Sequence, residues 1–227
     1  MIFLFNGPPK SGKDAAADYF KEKGYKHLSF KYQLYKETCN YFGCNYDWFM
    51  ERYDDRLVKE VPHMDIGHMS CREAMIYVSE IVVKPRKGLD YFGLQVANEI
   101  DLSKDYAISD GGFVDELKPV INTIGSDNFI LVQLTRDGCD YSTDSRRYFN
   151  GKVVEEIVNS YATPIQAKYV LDYKFDVKTY RIHNNGTLGA FHSALENIYE
   201  KEVTYKNVKE QKFKCDQEGK ILESDIL

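Results

Sequence analysis

Seven residues near the start of the chain have the types and spacing of a phosphate-binding loop. They fit the pattern G-x-x-x-x-G-K, and Asp14 follows where Ser or Thr is usual. In such a loop, consecutive backbone N–H groups converge on a phosphate, and the lysine places its ammonium between the β- and γ-phosphates. The pattern therefore predicts an ATP-binding loop. Its residues are Gly7, Pro8, Pro9, Lys10, Ser11, Gly12, Lys13 and Asp14.

Two side chains of this loop are candidates for chemistry. We expect Lys13 to be catalytic, with its ammonium solvated while the loop is empty, because it would neutralise charge that shifts during phosphoryl transfer. Asp14 cannot reproduce a hydroxyl beside a phosphate, but its carboxylate can hold magnesium directly or through water. The predicted cofactors are therefore ATP and Mg²⁺, with Asp14 and Asp110 as metal-binding residues.

Other charged residues stand near the ends of predicted strands or in a polar segment. Asp110 ends an apolar run, at the edge of an α/β sheet where ligands bind, and it could hold the metal or orient an acceptor. Arg146 and Arg147 lie in the polar stretch 137–151, a predicted lid-like flap, where they could stabilise charge on a transferring phosphoryl group. Each of the three could instead be a turn cap or a solvated charge. Weaker candidates for ATP contacts are Arg136 and Asn184.

A second group of candidates lies in residues 31–104. Arg72 begins a predicted helix and could bind an acceptor phosphate through both arms of its guanidinium, or could form a surface ion pair. Tyr91 and Phe92 could stack on a base, although aromatic pairs at helical spacing are also typical of a core. The predicted substrate-binding residues are Lys31, Arg56, Lys59, Arg72, Tyr91, Phe92 and Asp110.

The elements that must position these residues follow from apolar patterning. Short apolar runs predict five strands: Ile2–Asn6, Tyr25–Phe30, Tyr106–Ser109, Phe129–Thr135 and, approximately, Phe175–Ile182. Helical spacing predicts helices over Gly12–Lys23, Val114–Ile124 and Thr187–Tyr199. Strand–helix–strand order implies parallel strands joined by right-handed crossovers. We therefore predict a three-layer α/β fold with a parallel five-stranded sheet, a helical insertion over 31–104 and a lid.

Composition restricts the class of protein. A length of 227 residues suits one domain with insertions, assigned here to residues 1–200, with a charged extension over 201–227. No apolar run is long enough to span a bilayer, and the start lacks the pattern of a signal peptide, so we expect a cytoplasmic protein without a membrane partner. The net charge of −5 gives no general attraction to nucleic acid and fits a small phosphorylated substrate better. The oligomeric state is not predicted.

Several motifs together resemble the deoxynucleoside monophosphate kinases of bacteriophages. The stretch GPPKSGKDAAADYF at 7–20 is similar to the opening of those enzymes, although Ala15 stands where many relatives carry Thr. Shorter stretches follow in the same order. They are SCRE at 70–73, KGLDYFG at 87–93, SDGGF at 109–113 with Asp115-Glu116, and RDG at 136–138 followed by DSR at 144–146.

The resemblance implies a P-loop nucleoside monophosphate kinase-like fold and transfer of the ATP γ-phosphate to a deoxynucleoside monophosphate. A related phage kinase phosphorylates the hydroxymethyl group of 5-hydroxymethyluracil in DNA, and the phosphate loop does not separate the two. The cluster Lys84-Pro85-Arg86-Lys87 could then contact a DNA backbone. A non-catalytic nucleotide-binding module would share the loop without needing an acceptor site.

Overall fold

The structure is a computed structural model that describes residues 1–55, 57–142, 149 and 176–217, with only the backbone described at 210 and 213–217. The chain divides into two compact units, Met1–His183 and Asn184–Leu227. The first unit contains the sheet and the phosphate loop. The assignment of a single kinase domain to residues 1–200 stays a prediction.

Five parallel strands form one sheet in the order β2-β3-β1-β4-β5. Their bounds are Ile2–Asn6 for β1, Lys26–Leu28 for β2, Tyr106–Ile108 for β3, Phe129–Thr135 for β4 and Lys178–His183 for β5. β1 is central and buried at all five positions, which explains why its first four residues are all apolar. The predicted α/β fold with a parallel five-stranded sheet is confirmed.

The two faces of β1 are covered by different helices, which gives the three layers. Phe3 packs on Phe20 of helix α1, Lys13–Glu22, with ring centroids 4.4 Å apart. Ile2 and Leu4, which point the other way, belong to a buried cluster with Leu117 of helix α7, Val114–Ile124. Alternation along the strand thus supplies both halves of the core.

The helices of the first unit lie where sequence spacing puts them and fill the predicted insertion. Their bounds are Lys13–Glu22 for α1, Phe30–Phe42 for α2, Tyr46–Asp54 for α3, Cys71–Tyr77 for α4, Lys84–Lys87 for α5, Tyr91–Asn98 for α6 and Val114–Ile124 for α7. Short 3₁₀ turns occupy Met64–Ile66 and Ser126–Asn128, and a π-helical turn over Val78–Val83 joins α4 to α5. Between β2 and β3, the described residues form no strand.

Three strand predictions differ from the structure at their ends. The third strand was predicted to reach Ser109, but β3 stops at Ile108. The second strand was predicted to reach Phe30, but β2 stops at Leu28, and Phe30 begins α2. The Phe30 and Lys31 amides donate to the Asp110 carboxylate, which draws this segment into a helix start. The last strand is β5, Lys178–His183, and Phe175, where it was predicted to begin, lies outside the described residues.

The second unit is built on one long helix, α8, Leu188–Gln217. The helix predicted over Thr187–Tyr199 is therefore present, and it continues into residues that the sequence assigns to a charged extension. Within the described part of the chain, no helix combines the length and the apolar character that crossing a membrane requires.

Candidate functional site

The phosphate loop connects the carboxyl end of β1 to α1. Gly12, at the start of the helix, has a φ of 107°, and Lys10 has a φ of 67°, so the loop bends through left-handed backbone conformations twice. Gly7 cannot carry a side chain, because a Cβ there would lie 2.5 Å from the Leu134 carbonyl oxygen of β4. The loop is thus held tightly against the sheet.

Lys13 is less exposed than its sequence suggests. Its side chain is buried, and Nζ donates a hydrogen bond to the Pro8 carbonyl at 2.7 Å. The expectation of a solvated ammonium is wrong, because the loop folds back over its own lysine. The charge therefore sits inside the curve of the loop, where the phosphates of a nucleotide would be held.

Asp110 follows β3 and is anchored by the start of α2. Its Oδ2 accepts from Ser29 Oγ at 2.6 Å and from the Lys31 amide at 2.9 Å, and its Oδ1 accepts from the Phe30 amide at 3.2 Å. These contacts make it a helix cap. The same carboxylate also lines two cavities beside the phosphate loop.

A polar pocket of about 200 Å³ joins Asp110 to the phosphate loop. Its lining includes Asp14, Asp18, Ser29, Lys31, Ser109 and Asp110. Carboxylate and hydroxyl oxygens suit Mg²⁺, which proteins bind through one or two carboxylates together with substrate phosphates. Among the described residues, no three His, Cys, Asp or Glu side chains form a metal cluster by themselves. Phosphate oxygens would have to complete the set of ligands, and the residues present fit a magnesium held by Asp14, Asp110 and those oxygens.

A second cavity, of about 170 Å³, shares Lys31 and Asp110 with the polar pocket. We call it the aromatic cavity, after its lining residues Phe30, Tyr53, Phe92 and Phe113. Arg72 also lines it, so four predicted site residues far apart in sequence meet here. These four are Lys31, Arg72, Phe92 and Asp110.

Glu116 lines the aromatic cavity as well, and sequence reasoning did not select it as a site residue. Its side chain is only 7% exposed, and its Oε1 lies 3.4 Å from Nζ of Lys84, which is itself buried. Burial raises the pKa of Glu116 to about 7; Lys84 opposes this shift, while Asp110 and Glu80 reinforce it. The available signal was an acidic residue in the first turn of α7, six positions after the strand-end aspartate.

The π-helical turn positions the partners of Glu116. The Lys84 amide donates to the Ser79 carbonyl, one residue beyond the usual α-helical partner. Lys84 Nζ then reaches Glu80 at 2.7 Å and lies 4.3 Å from the centre of the Phe113 ring. Such turns are rare and frequently occur at functional sites.

The structure places several predicted residues outside the aromatic cavity. Tyr91 is not among its lining residues; its hydroxyl donates to Glu37 at 2.7 Å and accepts from Lys87 at 3.2 Å. Lys59 Nζ lies 5.7 Å from the centre of the Tyr53 ring and is not a lining residue either. Arg72, in contrast, does line the cavity; its side chain is 44% exposed, with Nε 3.5 Å from Glu60.

The basic cluster at 84–87 is largely engaged within the protein. Lys84 is buried with Glu80 and Glu116, and Lys87 pairs with Glu37 at 2.8 Å. Of the three cationic residues in this cluster, only Arg86 is exposed and forms no such ion pair with another described residue. The cluster therefore offers little cationic surface to a DNA backbone.

Residues from the segment predicted to be a flap contact Asn6, the last residue of β1 before the phosphate loop. Its Oδ1 accepts from the Phe149 amide at 2.8 Å, and its Nδ2 lies 3.4 Å from the Tyr141 hydroxyl. Arg136 Nη1 lies 3.4 Å from the Lys10 carbonyl, so this predicted ATP-contact residue touches the loop. The predicted residues Arg56, Arg146 and Arg147 lie outside the described residues. Asn184 begins the second unit, and its ATP contact stays a prediction.

Comparison with known proteins gives few matches. No family model matches the sequence, and no curated protein does. One similar solved structure is a candidate kinase from Chloroflexus aurantiacus J-10-fl; the similarity covers 88% of this chain and 96% of that chain, at 9% sequence identity and a TM-score of 0.38. The function is therefore argued from the site itself.

Proposed function

We propose that this protein is an ATP-dependent phosphotransferase that converts a deoxynucleoside monophosphate to the diphosphate. The observation that carries the proposal is the aromatic cavity. It gathers two cations, a strand-end carboxylate and aromatic rings beside a polar pocket that opens on the phosphate loop. A nucleotide acceptor needs this combination, since it has an anionic phosphate and a flat base. The resemblance to phage enzymes supports a role in phage nucleotide metabolism.

In this proposal, each group of site residues has a separate role in phosphoryl transfer. Loop amides and Lys13 hold the donor phosphates, while Lys31 and Arg72 hold the acceptor phosphate near Asp110. An acceptor phosphate oxygen forms a bond to the γ-phosphorus as the bond from that phosphorus to the β,γ-bridging oxygen breaks, and ADP leaves with the electron pair. Mg²⁺ at Asp14 and Asp110 would neutralise charge on the phosphate oxygens.

Lys31 and Asp110 line both the cavity and the pocket, so they mark the place where donor and acceptor would meet. The Lys31 amide is held by Asp110 at 2.9 Å, which fixes the start of α2 and with it the base of the lysine side chain. Such fixed positioning is the main protein contribution to phosphoryl transfer.

The test offers γ-labelled ATP and magnesium to the purified protein with free deoxynucleoside monophosphates, and separately with DNA that contains 5-hydroxymethyluracil. We expect label in at least one free nucleoside diphosphate. Label in DNA alone would replace the proposal with the base-modifying kinase. Stoichiometric ATP binding without transfer to any acceptor would favour a non-catalytic nucleotide-binding module.

A further inference from the structure

The wall of the aromatic cavity formed by the π-helical turn and α7 carries hydrogen-bond acceptors. Glu116 and Glu80 both line the cavity there, together with Ser79. Ser79 Oγ donates to Glu80 Oε1 at 2.9 Å, which occupies the hydroxyl proton. Ionised carboxylates only accept hydrogen bonds. While both carboxylates are ionised, a ligand edge against this wall must therefore supply N–H donors.

The size of the cavity favours a single ring. A protein cavity of about 150 Å³ accommodates a benzene molecule, and the aromatic cavity measures about 170 Å³. Its aromatic lining can stack on a flat ring or meet its edge. Because Lys31 and Arg72 in the same lining would take the phosphate, the six-membered ring of a pyrimidine fits the remaining space better than the fused rings of a purine.

We propose that the aromatic cavity selects an aminopyrimidine base, of the cytosine class, and that Glu116 is the residue that selects it. The inference rests on the proposed function, in which this cavity holds the base of the acceptor nucleotide. Cytosine carries an exocyclic amino group, and acidic side chains accept hydrogen bonds from that group. Uracil and thymine instead present carbonyl oxygens on both sides of one ring N–H, and a carbonyl facing a carboxylate leaves both acceptors unsatisfied.

Lys84 acts as a positioning residue in this arrangement. It does not line the cavity, but its Nζ lies 3.4 Å from Glu116 Oε1 and 2.7 Å from Glu80. One ammonium behind two carboxylates keeps them oriented and partly neutralised while they face the cavity. Lys84, Asp110 and Glu80 act on the pKa of Glu116, and the cations Lys31 and Arg72 line the same cavity.

The selection should depend on pH. The pKa of Glu116 is raised to about 7, chiefly by burial, so its side chain is an obligate acceptor only above that pH. Below it, the protonated acid can donate to a carbonyl oxygen. Discrimination against uracil should therefore sharpen as the pH rises from 6 to 8, a behaviour that a purely structural glutamate would not produce.

Calorimetry on the full chain without ATP tests the inference, with dCMP, dUMP, dAMP and dGMP as probes. We expect dCMP to bind at least about tenfold more tightly than dUMP at pH 8, with a smaller ratio at pH 6. Glu116→Gln, whose amide can donate to a carbonyl, should reduce the ratio to about twofold or less. Glu116→Asp retains the charge and should keep a preference for dCMP. The control is Glu99→Gln, at an exposed position after α6, which should leave the ratio unchanged.

Tighter or equal binding of dUMP or of either purine nucleotide by the unaltered protein would overturn the inference, and so would failure of all four to bind. The unaltered protein decides this question even if a Glu116 variant does not fold. Transfer is measured separately from binding. A protein that prefers dCMP but transfers no phosphate would leave base selection intact and remove the proposed function. Transfer to dUMP in preference to dCMP would overturn base selection and leave the proposed function intact.

Discussion

Asp110 shows how one carboxylate can belong to the fold and to the site at once. Its three hydrogen bonds to residues 29–31 cap α2, and the same side chain lines both the polar pocket and the aromatic cavity. From sequence, a turn cap and a ligand-binding residue were alternatives. The structure gives the first role directly, and the second stays a prediction that the position of the carboxylate in both linings supports.

Replacing Lys13 tests the phosphate loop. We expect Lys13→Ala to lower the rate of phosphoryl transfer by more than about a hundredfold, the scale for a lost group that stabilises transition-state charge. Because Nζ also donates to Pro8, the loop should loosen locally. Steady-state kinetics with the best acceptor provides the measurement, and Lys21→Ala, exposed at the far end of α1, is the control. Near-normal turnover by Lys13→Ala would contradict the site assignment.

Arg72 should affect acceptor binding more than turnover. Its guanidinium is partly exposed beside Glu60, so it is available to a dianionic phosphate. We expect Arg72→Ala to raise the KM for the deoxynucleotide by roughly tenfold or more, since hydrogen bonds to charged groups are strong. The matched variant Glu60→Gln removes the competing carboxylate and should not raise this KM. Equal KM values for Arg72→Ala and the unaltered protein would place the acceptor phosphate elsewhere.

Glu116 should make stability fall as pH rises. Its pKa is about 7 in the folded state against 4.5 normally, so between these values the folded protein binds more protons than the unfolded chain. At about 1.4 kcal/mol per pKa unit, the associated loss is on the order of 3 kcal/mol. Relative to Glu116→Gln, the unaltered protein should therefore lose stability from about pH 4.5 to about pH 7 and remain level above.

Urea unfolding of both proteins at pH 5 and pH 8 measures this difference. Glu99→Gln serves as the control for exchanging a carboxylate for an amide at an exposed site. A stability difference between Glu116→Gln and the unaltered protein that is the same at both pH values would show that the carboxyl titrates normally.

At the scale of elements, the π-helical turn explains how a helical segment brings Lys84 to the site. Pro85 cannot donate an amide hydrogen bond, and in an α-helix its ring would clash with the Ile81 carbonyl. The wider turn over Val78–Val83 removes this conflict and directs Lys84 toward Glu116. Pro85 was visible in the sequence as a turn signal, but a proline alone does not tell whether a helix ends, bends or widens.

The contact between α6 and α7 offers a test at the same scale. A Cβ on Gly93 would lie 2.1 Å from the Glu116 carbonyl oxygen, so the two helices could not keep their separation. We expect Gly93→Ala to destabilise the protein by about 3 kcal/mol and to weaken binding of the acceptor. Gly186→Ala, whose Cβ would meet its nearest neighbour at 3.4 Å, is the control and should stay within about 0.5 kcal/mol. Unchanged unfolding midpoints for both variants would contradict this packing.

Local patterns predicted the elements well and the site only in part. β1, β4 and α7 follow directly from apolar runs and helical spacing, and the phosphate loop from a contiguous motif. The pairing of Lys84 with Glu116 joins residues distant in sequence, so no local pattern contains it. Likewise, Tyr91 and Phe92 are adjacent, but only the structure shows that Phe92 lines the cavity while Tyr91 binds Glu37.

For the whole molecule, a net charge of −5 argues for a small acceptor. Affinity for DNA comes largely from Lys and Arg that neutralise phosphates, and it weakens steeply with salt. We expect excess duplex DNA to leave the KM for the deoxynucleotide unchanged within about twofold at roughly 0.1 M salt. Competition assays over a range of salt concentrations provide the measurement. Inhibition that deepens as salt is lowered would instead favour an acceptor base within DNA.

The hydrogen bonds from the start of α2 to Asp110 have a practical consequence. The amide protons of Phe30 and Lys31 end on the carboxylate that the acceptor and the metal would share. Their exchange with deuterium requires those bonds to open, so the exchange rate reports how firmly Asp110 is held. Deuterium exchange at these two amides therefore reports on occupancy of the site, and it can be measured by mass spectrometry or NMR on the unaltered chain.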